Sequence, residues 1–268
     1  MHAAGTAPDH RRFRCTVQYD GRGFHGWQVQ AEERTVQGEI ESVVSRLFDR
    51  PMRILGAGRT DRGVHATGQV ASVDAPPGWS AVKLRRAMNA LLPEGIWIAE
   101  CMEAKADFHP RYDAIARSYR YDVGTAHEAR SPFHRPWCWP VRTTPDIDRM
   151  AEVTEMIVGS HSFLAFAKAG QEERGDRCVV EEARWEPWEG LGLHLHITAD
   201  RFLHHMVRYL VGTLVAIGTG EREPGDMKRL LEGDGELLTS PPAPPEGLFL
   251  TRVSYPDDPA APAATPRS

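Results

Sequence analysis

The sequence lacks any long apolar run. No part of its 268 residues forms an uninterrupted apolar stretch of the ~18 residues that a transmembrane helix requires. The first residues also carry no apolar segment after their charges, so we expect no secretory signal. A cytoplasmic protein is therefore the expectation from this composition.

Cysteine is scarce and widely spaced. The four cysteines form no Cys-x-x-Cys pair, which argues against a zinc ribbon and a thioredoxin-like redox motif. Histidine offers no better metal pattern, because His204 and His205 have no carboxylate at HExxH spacing, and His194 and His196 alternate along a predicted strand. The sequence therefore predicts no metal site.

The chain also lacks an excess of positive charge. Its formal net charge is −5 at pH 7, which alone argues mildly against a nucleic-acid partner. The charge is unevenly distributed, however, because basic residues outnumber acidic ones over 105–142, whereas acids dominate over 221–236. A basic face on a mildly acidic protein still attracts phosphates locally, so the net charge neither requires nor excludes RNA.

The chain between its two ends reads as two similar halves. Residues 1–11 and 256–268 are rich in Ala, Pro and charge without periodicity, so we expect disordered tails. Alternation or helical spacing elsewhere predicts an α+β fold of two lobes, 12–110 and 111–255, that share a mostly antiparallel central sheet. The predicted strands are 13–19, two short ones around 52–55 and 70–73, then 95–104, 118–123, 191–199 and 247–255. The predicted helices follow Thr35 and Ser80, run from Thr144 to Gly159, and cover 204–218.

The stretch GAGRTDRGVHATGQV, from Gly56 to Val70, has the look of a phosphate-binding loop. Gly58 and Gly63 have the spacing of a P-loop, but the Lys and Ser or Thr that should follow are missing. The GxGxxG fingerprint fails as well, because Asp61 takes the place of its third glycine. Both nucleotide-binding interpretations are therefore excluded, and the stretch is predicted to join two strands.

Asp61 then has two interpretations. It could bond its own backbone in a plain strand-to-strand turn, which is the common role of an aspartate among glycines. Alternatively it is a working carboxylate in a cleft, since Arg59 and Arg62 flank it and a nearby guanidinium keeps a carboxylate ionised. Thr60 and His65 also bring more polar groups than a plain turn needs.

Several long motifs resemble, in order, those of the TruA family of tRNA pseudouridine synthases over most of the chain. GRTDRGVHA around Asp61 is similar to the family signature GRTDAGVHA, with Arg62 in place of alanine. Pro110 and Tyr209 are two further departures. The other matching motifs are YDGRGFHGWQVQ (19–30), TVQGEIE (35–41), FHPRYDAIARSYRY (108–121), FLHHMVRYLVGTL (202–214) and GLFLTRVSY (247–255).

The resemblance implies a pseudouridine synthase fold, with two ferredoxin-like or RRM-like lobes around a catalytic cleft. It implies isomerisation of uridines at positions 38–40, in the anticodon arm of tRNA, by a homodimer that needs neither cofactor nor metal. Asp61 would be the catalytic carboxylate, and Tyr119 would stack on the flipped base. Arg208 would pair with Asp61, and Arg59 would either contact the substrate backbone or swing during base flipping.

Two alternatives stay open. A non-catalytic tRNA-binding or RNA-folding protein of the same fold should have lost its catalytic carboxylate, yet Asp61 is present. A glycosidase-like enzyme needs a second carboxylate about 5–9.5 Å away, for which Asp20 and Glu39 are candidates. Further candidate phosphate contacts are Lys168, Arg174 and Arg177, although for each of them singly a place in a solvated loop is the favoured interpretation.

Overall fold

The structure, a computed structural model, describes residues 10–168 and 175–258. These residues form two compact units, the first made of 10–114 and 255–258 and the second of the remainder. The division falls after residue 114, against a predicted boundary after residue 110. Among the described residues, no helix is long and apolar enough to span a bilayer.

The first unit has the chain order β-α-β-β-α-β. Its elements are β1 (Arg11–Tyr19), α1 (Val36–Phe48), β2 (Leu55–Gly56), β3 (His65–Ala75), α2 (Ala81–Leu91) and β4 (Ile96–Glu103). The strands pair antiparallel in the order β4-β1-β3-β2. Chain order and strand order together are those of a ferredoxin-like unit.

Both helices of the first unit begin where the sequence predicts. The Thr35 hydroxyl accepts a hydrogen bond from the Gly38 N–H at 3.2 Å, and the Ser80 hydroxyl accepts one from the Lys83 N–H at 3.3 Å. Such N-caps satisfy amide groups that the first turn of a helix cannot pair. The apolar stripe of α1 is buried, including the fully inaccessible Ile40.

The second unit repeats the arrangement with additions. Its elements are β5 (Ala116–Gly124), β6 (Trp139–Pro140), α3 (Ile147–Glu155), β7 (Gly159–Ser162), β8 (Arg177–Trp188), β9 (Gly192–Ala199), α4 (Met206–Gly218), α5 (Gly225–Leu231) and β10 (Leu248–Ser254). The antiparallel order is β10-β5-β9-β8-β7, and β6 pairs parallel with β5. The predicted α+β class with ferredoxin-like units is confirmed.

The sequence misplaced one helix and missed the strands β6, β7 and β8 and the short helix α5. The helix expected from Thr144 to Gly159 begins instead after Asp146, whose carboxylate accepts the Arg149 N–H at 3.1 Å, and it ends at Glu155. Strand β8 was not predicted because a register shift after Val180 interrupts its alternation of buried and exposed side chains.

Candidate active site

Asp61 begins a tight turn in the connection between β2 and β3. The Val64 N–H donates to the Asp61 carbonyl at 3.1 Å, and Gly63 adopts a φ of +80°. That conformation at the third position of the turn favours glycine, which explains the glycine two residues after the aspartate. The Asp61 side chain is half-buried, and the prediction that this loop joins two strands is confirmed.

Buried partners hold the residue that precedes Asp61. The Thr60 hydroxyl hydrogen-bonds the Tyr19 hydroxyl at 2.7 Å, and the Trp27 N–H donates to the Thr60 carbonyl at 3.1 Å. Gly26 has a φ of +89°, and a Cβ there would lie 2.5 Å from the Thr60 carbonyl oxygen. The glycine of the FHGW segment is therefore required for the backbone to approach the turn this closely.

The chain further upstream of Asp61 is fixed as well. Gln69, fully buried in β3, donates its side-chain amide to the Gly58 carbonyl at 2.8 Å. The Ala57 N–H donates to the Val70 carbonyl at 2.8 Å. Because the backbone is bonded on both sides of it, Asp61 projects from a preorganised support.

Arg59 and Arg62 are exposed, and their side chains form no ion pair or hydrogen bond with any residue in 10–168 or 175–258. They do not pair with Asp61 as their flanking positions suggested. Thr60 turns inward, so its neighbour Arg59 in an extended segment points outward. Arg62 occupies the second position of the turn and is its exposed residue.

His65 and the neighbouring Asp20 also support the turn. His65 is buried, and its Nδ1 accepts the Gly21 N–H at 3.1 Å. The Asp20 carboxylate lies 3.4 Å from the same nitrogen and accepts hydrogen bonds from Arg22. Burial raises the pKa of Asp20, but the hydrogen bonds from Arg22 outweigh it and leave that pKa lowered.

Both candidates for a second catalytic carboxylate are engaged with arginines. Asp20 lies 2.6 Å from the Arg22 guanidinium, and Glu39 lies 2.6 Å from that of Arg34. Each of these carboxylates thus has an arginine partner close to it in the chain, which is an ordinary structural role and no specific sign of a glycosidase pair. The glycosidase alternative therefore gains no support.

Tyr119 and Tyr121 point to the same face of β5 but differ in environment. Tyr121 is fully buried, donates its hydroxyl to the Pro244 carbonyl at 2.7 Å, and has its pKa raised well above the usual value by burial. Tyr119 is half-buried. Its ring packs edge-to-face against the ring of Phe202, with 5.0 Å between the ring centroids. Tyr121 is the core residue of the pair, whereas Tyr119 retains accessible ring surface.

Arg208 lies in the first turn of the otherwise apolar helix α4. Its Nε donates to the Ala243 carbonyl at 2.7 Å, and the Ala243 N–H donates back to the Arg208 carbonyl at 2.9 Å. A charge on an apolar helix needs a partner, and this carbonyl orients the guanidinium. Its pairing with Asp61 stays a prediction.

The paired histidines of β9 bind carboxylates. His194 Nδ1 lies 2.7 Å from Asp122, and His196 Nε2 lies 3.1 Å from Glu186. Asp122 is buried and also accepts from Arg120 at 2.8 Å. Residues two apart on one strand share a face, but the pairing of β5 with β9 that brings these side chains together is not visible in the sequence, so the network was not predicted.

The loop candidates for phosphate binding differ in what the structure shows. The Lys168 N–H donates to the His204 carbonyl at 3.1 Å, and the exposed Arg177 donates to the Ser160 carbonyl at 3.0 Å. Arg174 lies outside the described residues.

Comparison with known proteins agrees with the motifs. A protein-family model described as tRNA pseudouridine synthase matches residues 15–113 and 153–256. The tRNA pseudouridine synthase A of Geobacillus kaustophilus is 40% identical over 251 residues, 92% of this chain and 96% of that protein. The proteins of the same name from Geobacter sp. and Jannaschia sp. are 35% and 37% identical; the alignments cover 92% and 93% of this chain and 100% and 97% of theirs.

Proposed function

The chain belongs to the tRNA pseudouridine synthase family, and from this premise we propose that its catalysis depends on Asp61. The protein is an isomerase that converts uridine into pseudouridine in tRNA. The observation that carries the proposal is the backbone around Asp61. A half-buried carboxylate begins a turn whose flanking residues are fixed by buried hydrogen-bond partners.

The reaction explains why one carboxylate is enough. The bond from ribose C1′ to uracil N1 breaks, the base turns, and C1′ joins C5. The hydrogen on C5 leaves as a proton and N1 gains one, so no electrons are gained or lost and no cofactor is consumed. An ionised aspartate can attack C1′, add to the base or remove a sugar proton without further activation.

Three further residues are proposed to bind the substrate. The half-buried ring of Tyr119 offers an apolar surface on which a flipped uracil can stack. The exposed guanidinium of Arg59 suits a phosphate, which it can bind through paired hydrogen bonds. Support for a pairing between Arg208 and Asp61 comes from the motif resemblance alone.

The finer assignments of substrate and assembly also follow from the motifs. We assign the anticodon arm, at positions 38–40, as the substrate region, and a cytoplasmic homodimer as the working form. A dimer can present one shared basic groove although each chain carries a net charge of −5. Lys168 and Arg177 are candidates for contacts with its phosphates, and binding dominated by such contacts weakens steeply with salt.

The test is tritium release from a tRNA transcript labelled at uridine C5, without a methyl donor. Wild-type protein should release tritium because C1′ takes the place of the C5 hydrogen. Asp61→Asn should release none while still binding tRNA. Arg62→Ala is the matched control and should stay active, because the Arg62 side chain is exposed and has no partner among the described residues.

Two other outcomes of this assay would contradict the proposal. Release by Asp61→Asn at the wild-type rate would show that Asp61 is not essential. Absence of release from the wild-type protein, with tRNA still bound, would instead support the alternative of a non-catalytic tRNA-binding protein.

A further inference from the structure

The connection between β5 and β6 is a series of tight turns. The Ser131 N–H donates to the Glu128 carbonyl at 3.0 Å, the Arg135 N–H donates to the Ser131 carbonyl at 2.8 Å, and the Trp137 N–H donates to the His134 carbonyl at 2.9 Å. Backbone groups bonded in this succession leave the segment little freedom. We call residues 127–135 the turn platform.

The turn platform is anchored to the sheet below it. Ala129 and Cys138 are buried against Gly124, where a Cβ would lie 2.4 Å from the Ala129 Cβ and 3.3 Å from the Cys138 sulfur. Four residues after the platform, Trp139 pairs with Val123 of β5. The absence of a side chain at Gly124 therefore lets the platform dock tightly on the strand.

This anchored segment presents an exposed aromatic ring. The Phe133 residue is 82% exposed, although its N–H is fixed by the Ser131 hydroxyl at 3.2 Å. The bonded turns hold its backbone in place, so the ring is displayed at a fixed point of the surface. The apolar ring thus stays in water until a partner covers it.

The surroundings of Phe133 are polar and mostly basic. His127, His134 and Arg135 form no side-chain hydrogen bond or ion pair within residues 10–168 and 175–258. Arg130 uses one Nη for the Val141 carbonyl, at 3.3 Å, and keeps its other N–H groups for a ligand. A surface pocket of about 520 Å³ is lined by His127, Glu128, Arg130, Ser131 and His134.

Resting on the proposed function, we propose that the turn platform is a second tRNA-binding site, additional to the contacts with the reacting uridine. Its pocket takes a backbone phosphate between Arg130 and the two histidines, and Phe133 stacks on an unpaired base. Arginine and imidazole donors suit phosphate oxygens, and stacking on an aromatic ring accepts any base. The N–H donors of Arg130 and the two histidines outnumber the one carboxylate of the lining, which favours the phosphates of RNA over an apolar protein surface.

Affinity measurements test the platform. Phe133→Ala should weaken tRNA binding about tenfold at fixed salt, a change equivalent to ~1.4 kcal/mol, with kcat unchanged at saturating tRNA. Leu238→Ala is the matched control, because Leu238 is 80% exposed in the same unit, and it should bind as the wild type does. Glu128→Gln should tighten binding, because it removes the one acidic group of the pocket, an effect that misfolding cannot imitate.

Photo-crosslinking identifies the partner. A benzophenone amino acid at position 133 should crosslink to tRNA, and the same group at position 238 should not. Crosslinking to a second copy of the protein, or an unchanged tRNA Kd for Phe133→Ala, would refute the proposal that the turn platform binds tRNA. These failures are distinct from failure of the proposed function, in which the wild-type protein would release no tritium whatever the Phe133→Ala result.

Discussion

The hydrogen bond between the Tyr19 and Thr60 hydroxyls predicts how the Asp61 turn is stabilised. The two oxygens are 2.7 Å apart, and the residues are only 5% and 7% exposed. Tyr19→Phe and Thr60→Val each remove one hydroxyl and leave its buried partner without that bond. Each substitution should therefore lower the free energy of unfolding by ~1–3 kcal/mol.

The double variant separates this bond from other effects. Once both hydroxyls are gone, neither is left without the other, so Tyr19→Phe/Thr60→Val should cost less than the sum of the single substitutions. We expect a coupling of ~1 kcal/mol in urea unfolding followed by tryptophan fluorescence. Thr67→Val, at an exposed position of β3, is the control and should stay within about 0.5 kcal/mol of the wild type.

The same variants test whether the support matters for catalysis. Thr60→Val loosens the residue next to Asp61, and a displacement of about 1 Å costs on the order of 100-fold in rate. We therefore expect kcat in the tritium-release assay to fall 10- to 100-fold, with a smaller change in KM. Strictly additive unfolding energies, together with an unchanged kcat, would refute the argument that this bond positions the turn.

Three further predictions concern single sites. Gly26→Ala should abolish activity or expression of folded protein, as judged by circular dichroism and tritium release, because its Cβ would lie 2.5 Å from the Thr60 carbonyl oxygen at a φ of +89°. Iodoacetamide at pH 8 should label Cys101 before Cys138, as read from a peptide mass map. A hydrogen bond from the buried Cys15 thiol lowers the pKa of Cys101, whereas burial raises the pKa of Cys138 to about 11. The pKa of Asp20 is lower in the folded protein than its value of about 3.9 in the unfolded chain, so ionised Asp20 stabilises the fold at pH values above about 3.9. This contribution is lost as the pH falls through the lower folded pKa. In urea unfolding, Asp20→Asn should therefore be less stable than the wild type at pH 7, and the difference should shrink below about pH 4.

Some features of the site could be predicted from sequence because they depend on near neighbours. The N-caps at Thr35 and Ser80 act within one turn of their own helices. Gly63 is the third residue of a turn that begins at Asp61 and is closed by the hydrogen bond from the Val64 N–H to the Asp61 carbonyl. The motif order identified the family, and with it the ferredoxin-like repeat, before any contact was known.

Other features could not be predicted, because they depend on strand register. The network of Asp122 with Arg120 and His194 forms only when β5 and β9 pair in one register. The bulge in β8 hides its alternation for the same reason, since the break is set by pairing with β9. Local spacing contains no information about such partners.

The sequence by itself determined the α+β class, the helix starts in the first unit and the motif around Asp61. Only the tertiary structure decided which polar groups near the aspartate face inward: Thr60 is buried on Tyr19, whereas Arg59 points to solvent. It also distinguished two tyrosines that one alternating strand makes equivalent. Tyr121 is fully buried and its hydroxyl donates to the Pro244 carbonyl, whereas Tyr119 is half-buried. The difference arises because burial is set by residues far away along the chain.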